Sequence, residues 1–443
     1  MVSRSTKSPF RSDSSSWLKQ LWPRKPIEIS RWDMLRVLPR LLGGKSRKAC
    51  EESIGDFWGQ PVCVGLSERS CFDLFLNALK LPQGSEVLVS AINVEGMRSI
   101  LEEHGLVSVP VDICPATLEM DLAQAAERTS SKTRAVLFAH LFGARSNLAT
   151  LLDFCKSYDL QLWEDCAQVF DRDYRGDERA DLRLFSFGPI KAFSALGGGV
   201  AVCKDSAVQE RMRDAGERLP HQQNYQYTAR VAKYFSIQAL TSPAVYRWVM
   251  RLVPGTRDER DAWLVSLFRN TSQQDRFFQS IRRQPSTVLL RTLERRIRGS
   301  IDVEPEREQR GGRLAELLSL RLGVRPSVAG QFAEEHRYWV FPAFIESSRE
   351  LLDSLDDAGF DVTSRCQLSV LETPEYPTPA AHALRNSIVF LPCYSAIPEA
   401  ELRRMVEVLL RLSDVAPTSD VAPEFENRRI EGNRELSPIT VTR

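Results

Sequence analysis

The side chains best suited to chemistry lie in one stretch of this 443-residue sequence, LQLWEDCAQVFDRDYRGDERADLRLFSFGPIKAFSALGGG. In it, Asp165 closes one apolar run, Ser186 closes a second, and Lys191 follows in a loop that continues into three consecutive glycines. A lysine amine can form a Schiff base with a carbonyl compound, and glycines let the backbone approach a ligand closely. A carboxylate such as that of Asp165 could keep a pyridine nitrogen protonated. Because pyridoxal phosphate (PLP) requires both groups, the sequence indicates a PLP site.

The elements that would position these residues alternate regularly between Gly65 and Asp205. Strands are predicted at 86–92, 106–111, 134–140, 160–164, 182–187 and 199–203. Helices are predicted around 70–80, 94–104, 118–128 and 147–158. This alternation indicates crossover connections and a mostly parallel sheet covered on both faces, in which 199–203 could return antiparallel. Ligands of such sheets bind beyond the carboxyl ends of the strands, where Asp165, Ser186 and Lys191 fall.

The large α/β domain is predicted at 51–205, and four other regions are predicted before and after it. These parts are a basic, Ser- and Arg-rich leader at 1–50, a helical region at 206–300, a smaller α+β domain at 301–413 and a disordered tail at 414–443. Within the leader, residues 1–16 should be disordered because they cannot bury apolar surface.

Residues 17–44 have roughly helical spacing of Trp, Leu and Arg, and two interpretations remain open for them. A basic amphipathic helix could lie on a membrane surface or on a partner. We favour a helix packed on the protein's own body, since Pro23 and Pro26 shorten any continuous helix. For the Arg- and Trp-rich stretch 206–284 a structural role is likewise favoured over membrane contact.

Composition excludes several classes of protein. A formal net charge of +1 argues against a dedicated nucleic-acid binder, and no apolar run approaches the roughly 18 residues of a membrane-spanning helix. Nine cysteines without a CxxC pair indicate reduced thiols and a cytoplasmic protein. Five histidines without HExxH spacing predict no catalytic metal.

The motifs together resemble one known family. The segments LNALKLPQGSEVLVSAI, HGLVSVPVDICPATLEMD, KTRAVLFAHLFG, LWEDCAQ and FSFGPIKAFSALGGGVAVCKD are similar to the DegT/DnrJ/EryC1/StrS family of PLP-dependent sugar aminotransferases. The resemblance resumes at STVLLRTLERRI and NSIVFLPCYSAIPEAELRRMVEVL, and so covers roughly 60–205 and 285–413. It implies the PLP-dependent transferase fold of type I, in which a large domain with a mostly parallel seven-stranded sheet lies between helices and a smaller α+β domain follows.

Roles for individual residues follow from the resemblance. It implies that Lys191 is the Schiff-base lysine and proton shuttle and that Asp165 pairs with the pyridinium nitrogen. Gln168 would contact the 3-hydroxyl side of the ring, and Ser186 would bind the phosphate. Arg69 and Ser70, at a helix start, would present backbone N–H groups to that phosphate. His140 is expected to pack beneath the site.

Two positions depart from the family pattern. Glu68 and Arg69 stand where most members have Gly-Thr before the phosphate-binding helix. A carboxylate beside a phosphate is unfavourable unless Glu68 turns away, while Arg69 could compensate by direct pairing. Val94 stands at about the position of the aromatic residue that stacks on the cofactor ring, which predicts weaker cofactor binding.

The activity expected from the resemblance is transfer of an amino group, with glutamate as donor, to a keto sugar that is nucleotide-linked. The mechanism would be ping-pong through a Lys191 Schiff base, in a homodimer whose sites lie between subunits. Two alternatives stay open. One is a PLP enzyme of the same fold with another reaction, and the other is an inactive binding or regulatory relative.

Overall fold

The computed structural model describes residues 20–38, 43–268, 274–299, 305–323, 325–365 and 368–413. The predictions of disorder at 1–16 and 414–443 lie outside these residues. Within the described part of the chain, no helix is both long and apolar enough to cross a membrane.

The strands are numbered in chain order. They are β1 (Cys63–Gly65), β2 (Glu86–Ser90), β3 (Ile92–Asn93), β4 (Val107–Val111), β5 (Thr133–Ala139), β6 (Ala144–Arg145), β7 (Gln161–Asp165), β8 (Leu182–Ser186), β9 (Gly199–Cys203), β10 (Glu335–His336), β11 (Phe341–Phe344), β12 (Ser369–Val370) and β13 (Ile388–Leu391).

The helices are numbered in the same way. They are α1 (Arg31–Leu35), α2 (Arg47–Trp58), α3 (Glu68–Leu79), α4 (Glu95–Glu103), α5 (Leu122–Arg128), α6 (Ala149–Ser157), α7 (Ser206–Glu217), α8 (Asn224–Leu240), α9 (Pro243–Leu252), α10 (Arg257–Phe268), α11 (Gln274–Ile281), α12 (Thr287–Arg298), α13 (Pro305–Leu322), α14 (Arg349–Ala358), α15 (Pro379–Ser387) and α16 (Glu399–Ser413).

The central sheet has seven strands in the order β1-β9-β8-β7-β5-β2-β4. Strands β4, β2, β5, β7 and β8 pair in parallel, whereas β9 pairs antiparallel with β8 and with β1. All six predicted strands are present in this sheet, and the antiparallel return at 199–203 is confirmed.

Helices cover both faces of the sheet because its strands are apolar on both sides. In β5, Ala135 and Leu137 pack with α3, α4 and α7 on one face, while Val136 and Phe138 pack with α5 and α6 on the other. Burial on both faces is typical of parallel sheets with crossover helices. The predicted fold class is thus confirmed in its large α/β part.

Two predicted elements differ from the structure. The helix expected around 118–128 begins only at Leu122, since Met120 pairs with Ile113 and Asp121 caps the helix by accepting a hydrogen bond from the Gln124 N–H. In the leader, among residues 20–38 only Arg31–Leu35 is α-helical. The chain through the two prolines is non-helical instead, and the Trp22 N–H donates to the Gly359 carbonyl at 2.9 Å.

Residues after β9 form further helices and a small antiparallel strand pair. Helices α8 to α12 follow the sheet, and the Gln238 side chain of α8 donates to the Ile29 carbonyl of the leader at 2.8 Å. Beyond them, β11 and β13 pair antiparallel and share an apolar core with α13, α14 and α16. The division into domains at the predicted boundaries stays a prediction.

Candidate active site

The carboxyl ends of β7 and β8 bring the predicted residues to one edge of the sheet. Asp165 is the last residue of β7, Ser186 is the last of β8, and the two strands are parallel neighbours. The loop 187–198 then carries Lys191. This loop is tied to its own base, because Phe187 exchanges backbone hydrogen bonds of 3.0 Å with Ala195, Gly197 and Gly198.

A cavity of about 250 Å³ opens at this edge, and Lys191, Asp165 and Gln168 all line it together with Glu68 and Val94. Arg69, Ser70 and Ser186 do not line this cavity. The structure therefore brings together three of the six predicted site residues in the cavity lining, and the three assigned to the phosphate lie outside that lining.

Lys191 has the environment of a reactive amine. Removal from water lowers its pKa, while the nearby acids Glu68 and Asp165 raise it, and the pKa ends below its ordinary value. Its Nζ also lies 4.6 Å from the centre of the Trp339 ring, a cation–π contact. A lowered pKa makes more of the neutral, nucleophilic amine available near neutral pH.

Asp165 and Gln168 are held by backbone N–H groups. Asp165 Oδ1 accepts from the Ala167 N–H at 2.9 Å, and Gln168 Oε1 accepts from the Phe142 N–H at 2.8 Å. Asp165 is 6% exposed. Each side chain is thus fixed at the cavity without the help of a ligand.

The start of helix α3 is capped by a side chain and could face an anion. Ser67 is the N-cap, and its Oγ accepts from the Ser70 N–H at 3.2 Å. A helix N-terminus favours negative charge through its unpaired N–H groups. Arg69 is exposed here, and its guanidinium lies 5.6 Å from the ring centre of Phe277, so that it stands away from the cavity.

His140 lies at the end of β5 within a buried polar network, as the sequence led us to expect. Its Nε2 is 3.0 Å from Glu164 Oε1, and Tyr174 Oη also donates to Glu164. Glu164 Oε2 accepts from the Asp177 N–H at 2.7 Å. The Glu164 carboxylate is fully buried and satisfied by these donors, which makes the network a support beneath β7.

Several residues that line the cavity were not predicted from the sequence. The leader contributes Pro23 to Pro26, helices α9 and α10 contribute Tyr246 and Leu264, and the carboxyl-terminal part contributes Trp339 and Asp361. Arg24 joins these walls, since its Nε donates to Asp361 at 3.0 Å and its Nη2 to Asp261 at 2.6 Å. No local pattern signals a contact between residues 337 positions apart.

The fold and the site define a class of protein: an α/β fold with a mostly parallel sheet that carries a lysine and an aspartate at its carboxyl edge. The sequence model of the DegT/DnrJ/EryC1/StrS aminotransferase family matches residues 36–239. This match covers a little under half of the chain and confirms the predicted resemblance to the family.

Individual proteins agree with the family match. The chain is 28% identical to "GDP-perosamine synthase" of Escherichia coli O157:H7, over 31% of this chain and 39% of that protein. It is 30% identical to "Pleiotropic regulatory protein" of Geobacillus stearothermophilus, over 45% of this chain and 55% of that protein. The aligned segments therefore span about two fifths to just over half of these two relatives.

Solved structures extend the similarity to nearly the whole chain. The aminotransferase TlmJ from Streptoalloteichus hindustanus superposes with a TM-score of 0.63 at 18% identity, over 90% of this chain and 100% of that one. At this identity the comparison establishes the fold, and it confirms the predicted fold class.

The cofactor of the family is PLP, and solved structures of this fold include one with PLP bound. The residues present here fit its aldehyde and its ring, because a partly buried amine with a lowered pKa and a fixed carboxylate share one cavity. At the phosphate end the capped start of α3 suits an anion, while the buried Glu68 side chain at the same helix start does not.

Proposed function

We propose that this protein is a PLP-dependent aminotransferase that moves an amino group from an amino acid, with glutamate the first candidate, to a keto sugar that is nucleotide-linked. One observation carries the proposal: the Lys191 amine and the Asp165 carboxylate face the same cavity at the carboxyl edge of the sheet. The family match over residues 36–239 supports the same class of reaction.

Each residue has a defined task in this proposal. Lys191 Nζ would bind the aldehyde carbon of PLP and, once the donor has replaced it, would carry the proton that leaves the donor's Cα. Asp165 would keep the ring nitrogen protonated, and Gln168 would contact the 3-hydroxyl side. When bound, PLP supplies a carbonyl for the amine and a ring that accepts electrons.

The overall reaction is balanced between two ketones and two amines. The donor amino acid becomes a 2-keto acid, and the acceptor ketone becomes an amine. In the net exchange the acceptor gains the amino group and a carbon-bound hydrogen, and the donor gains the carbonyl oxygen. Because both substrates use one site in turn, ping-pong kinetics are expected. We further propose a homodimer as the working assembly.

The first experiment is an absorbance spectrum of the purified protein with PLP, before and after glutamate is added, with Lys191→Ala as control. We expect visible absorbance from lysine-linked PLP that disappears with glutamate, and none in the Lys191→Ala protein. Visible absorbance that glutamate leaves unchanged would contradict the proposed donor. Absence of visible absorbance in the wild type even at saturating PLP would contradict PLP catalysis.

A second candidate is an inactive regulatory relative of the same fold. The buried Glu68 carboxyl at the phosphate end of the site favours it, since most family members have glycine there. The same spectrum decides between the two candidates, because a protein that does not bind PLP at Lys191 stays colourless.

A further inference from the structure

Glu68 places a second acid beside Asp165 in the cavity. It is the first residue of α3, is 8% exposed, and lines the cavity with Asp165 and Lys191. Its Oε1 has no hydrogen-bond partner among the described residues. An unpartnered carboxyl oxygen that is more than nine-tenths buried is costly in a folded protein, and a role toward the cavity would explain it.

The backbone of Glu68 packs directly on the sheet. A Cβ placed on Gly199 would lie 2.2 Å from the Glu68 nitrogen, so strand β9 and the helix start are in direct contact. The Gly198 N–H also donates to the Leu66 carbonyl at 3.0 Å. Rotation of the Glu68 side chain can therefore displace its carboxyl while these backbone contacts are kept.

The two carboxyl groups interact directly. Burial raises the pKa of Glu68 well above its ordinary value, and the charge of Asp165 with a side-chain hydrogen bond to it raises the pKa further. The charges that oppose this rise are those of Lys191 and Arg69. A raised pKa favours the protonated form of Glu68, which can then share its proton with the neighbouring Asp165 carboxylate.

Asp165 has limited capacity for more partners. Its Oδ1 accepts the Ala167 N–H, which leaves the other oxygen as the principal acceptor for either the Glu68 carboxyl or a ligand N–H. Since the proposed function assigns this acceptor to the ring nitrogen of PLP, the Glu68 carboxyl and the cofactor would compete for Asp165.

We propose that Glu68 is a built-in competitor of the cofactor, whose carboxyl holds Asp165 in the PLP-free protein and must rotate away for PLP to bind. The inference rests on the proposed function, because it takes PLP as the ligand of Asp165. Glu68 thereby sets the cofactor affinity without being needed for the chemistry at Lys191. A protein of this kind would exist largely PLP-free at cofactor concentrations that saturate a site with glycine at this position.

The test is a PLP titration of the PLP-free protein, followed by visible absorbance, for wild type, Glu68→Gly and Glu68→Gln. Glu68→Gly should bind PLP at least about tenfold more tightly. Tenfold in affinity corresponds to about 1.4 kcal/mol, which is close to the contribution of one hydrogen bond to a charged group. Glu68→Gln keeps the size of the side chain and a donor for Asp165, and should fall between the two. Glu95→Gln is the matched control, since Glu95 is an exposed acid in the first turn of the adjacent helix α4.

Infrared spectra of the PLP-free proteins give a second measurement that does not depend on PLP binding. Wild type should show a protonated carboxyl band that Glu68→Gln lacks and Glu95→Gln retains. Absence of that band from the wild type would overturn the shared proton and the competitor role with it.

The outcomes separate this inference from the proposed function. Wild type that binds PLP with an affinity within twofold of Glu68→Gly, or more tightly, overturns the competitor role and leaves the aminotransferase proposal in place. No PLP absorbance in any of the proteins overturns both. PLP absorbance that is weak in wild type and strong in Glu68→Gly supports the competitor role.

Discussion

At the scale of single residues, the proposed chemistry assigns the ring nitrogen of PLP to the Asp165 carboxylate. Its removal should take away the charge that keeps the ring electron-accepting. We expect Asp165→Ala to lower kcat/KM for transamination by about 10²–10⁴-fold while the protein stays folded. Steady-state kinetics with glutamate and a keto-sugar acceptor, together with circular dichroism, measure both quantities.

The matched control for this prediction is Asp153→Ala. Asp153 is an exposed acid on α6 outside the cavity, and its loss should leave kcat/KM within about twofold. Retention of full activity in Asp165→Ala would remove Asp165 from the mechanism and leave Lys191 without its proposed partner.

At the scale of elements, the start of α3 links the stability of the fold to binding at the site. The Ser67 Oγ caps this helix by accepting the Ser70 N–H, as the Ser46 Oγ caps α2 by accepting the Ala49 N–H. We expect Ser67→Ala and Ser46→Ala each to lower the free energy of unfolding by about 1 kcal/mol. Urea denaturation measures both.

The two caps should differ in their effect on the cofactor. Of α2 and α3, α3 is the helix that begins at the cavity. Ser67→Ala should therefore also weaken PLP binding in the absorbance titration, whereas Ser46→Ala should not. Equal PLP affinities in the two variants would show that the start of α3 takes no part in binding.

At the scale of the whole molecule, Arg24 joins three distant parts of the chain. The leader supplies Arg24, α10 supplies Asp261, and the carboxyl-terminal part supplies Asp361. The Arg24 side chain is 19% exposed and the two carboxylates are more buried still. Breaking such a buried set leaves uncompensated charges, and Arg24→Met should lower the free energy of unfolding by roughly 3–5 kcal/mol.

The comparison for Arg24→Met is Arg98→Met, which breaks a more exposed pair with Glu102 on α4 and should cost below about 0.5 kcal/mol. Similar losses in the two variants would contradict a joining role for Arg24. Thermal or urea unfolding of both variants at neutral pH provides the measurement.

The same cluster should make stability depend on pH. Burial alone would raise the pKa of Asp261, but the Arg24 charge and hydrogen bond prevail and the pKa is lowered. A lowered folded-state pKa contributes stability above the unfolded-state value of about 3.9, and this is lost as the pH falls further. The stability difference between wild type and Arg24→Met should therefore shrink below about pH 4.

Local pattern was enough to predict the sheet and the residues at its edge. Apolar runs such as 134–140 and 182–187 are buried on both faces in the structure, so their composition identified them without knowledge of their partners. Asp165 and Lys191 followed because strand ends and a glycine-rich loop are visible in the sequence. The sequence also indicates the helix start at Glu68, but it does not reveal that the Glu68 side chain lines the cavity.

The tertiary structure alone decided what encloses this edge and what faces Asp165. Trp339, Tyr246 and Arg24 come from segments far apart in the chain, and contacts between such segments leave no periodicity that a sequence reveals. The position of Glu68 depends on the contact between β9 and the helix start, and its raised pKa depends on burial beside Asp165. The sequence by itself determined the fold class and predicted Lys191 and Asp165 as the reactive pair, since both follow from local composition and spacing. Long-range packing determined the cavity and its electrostatics.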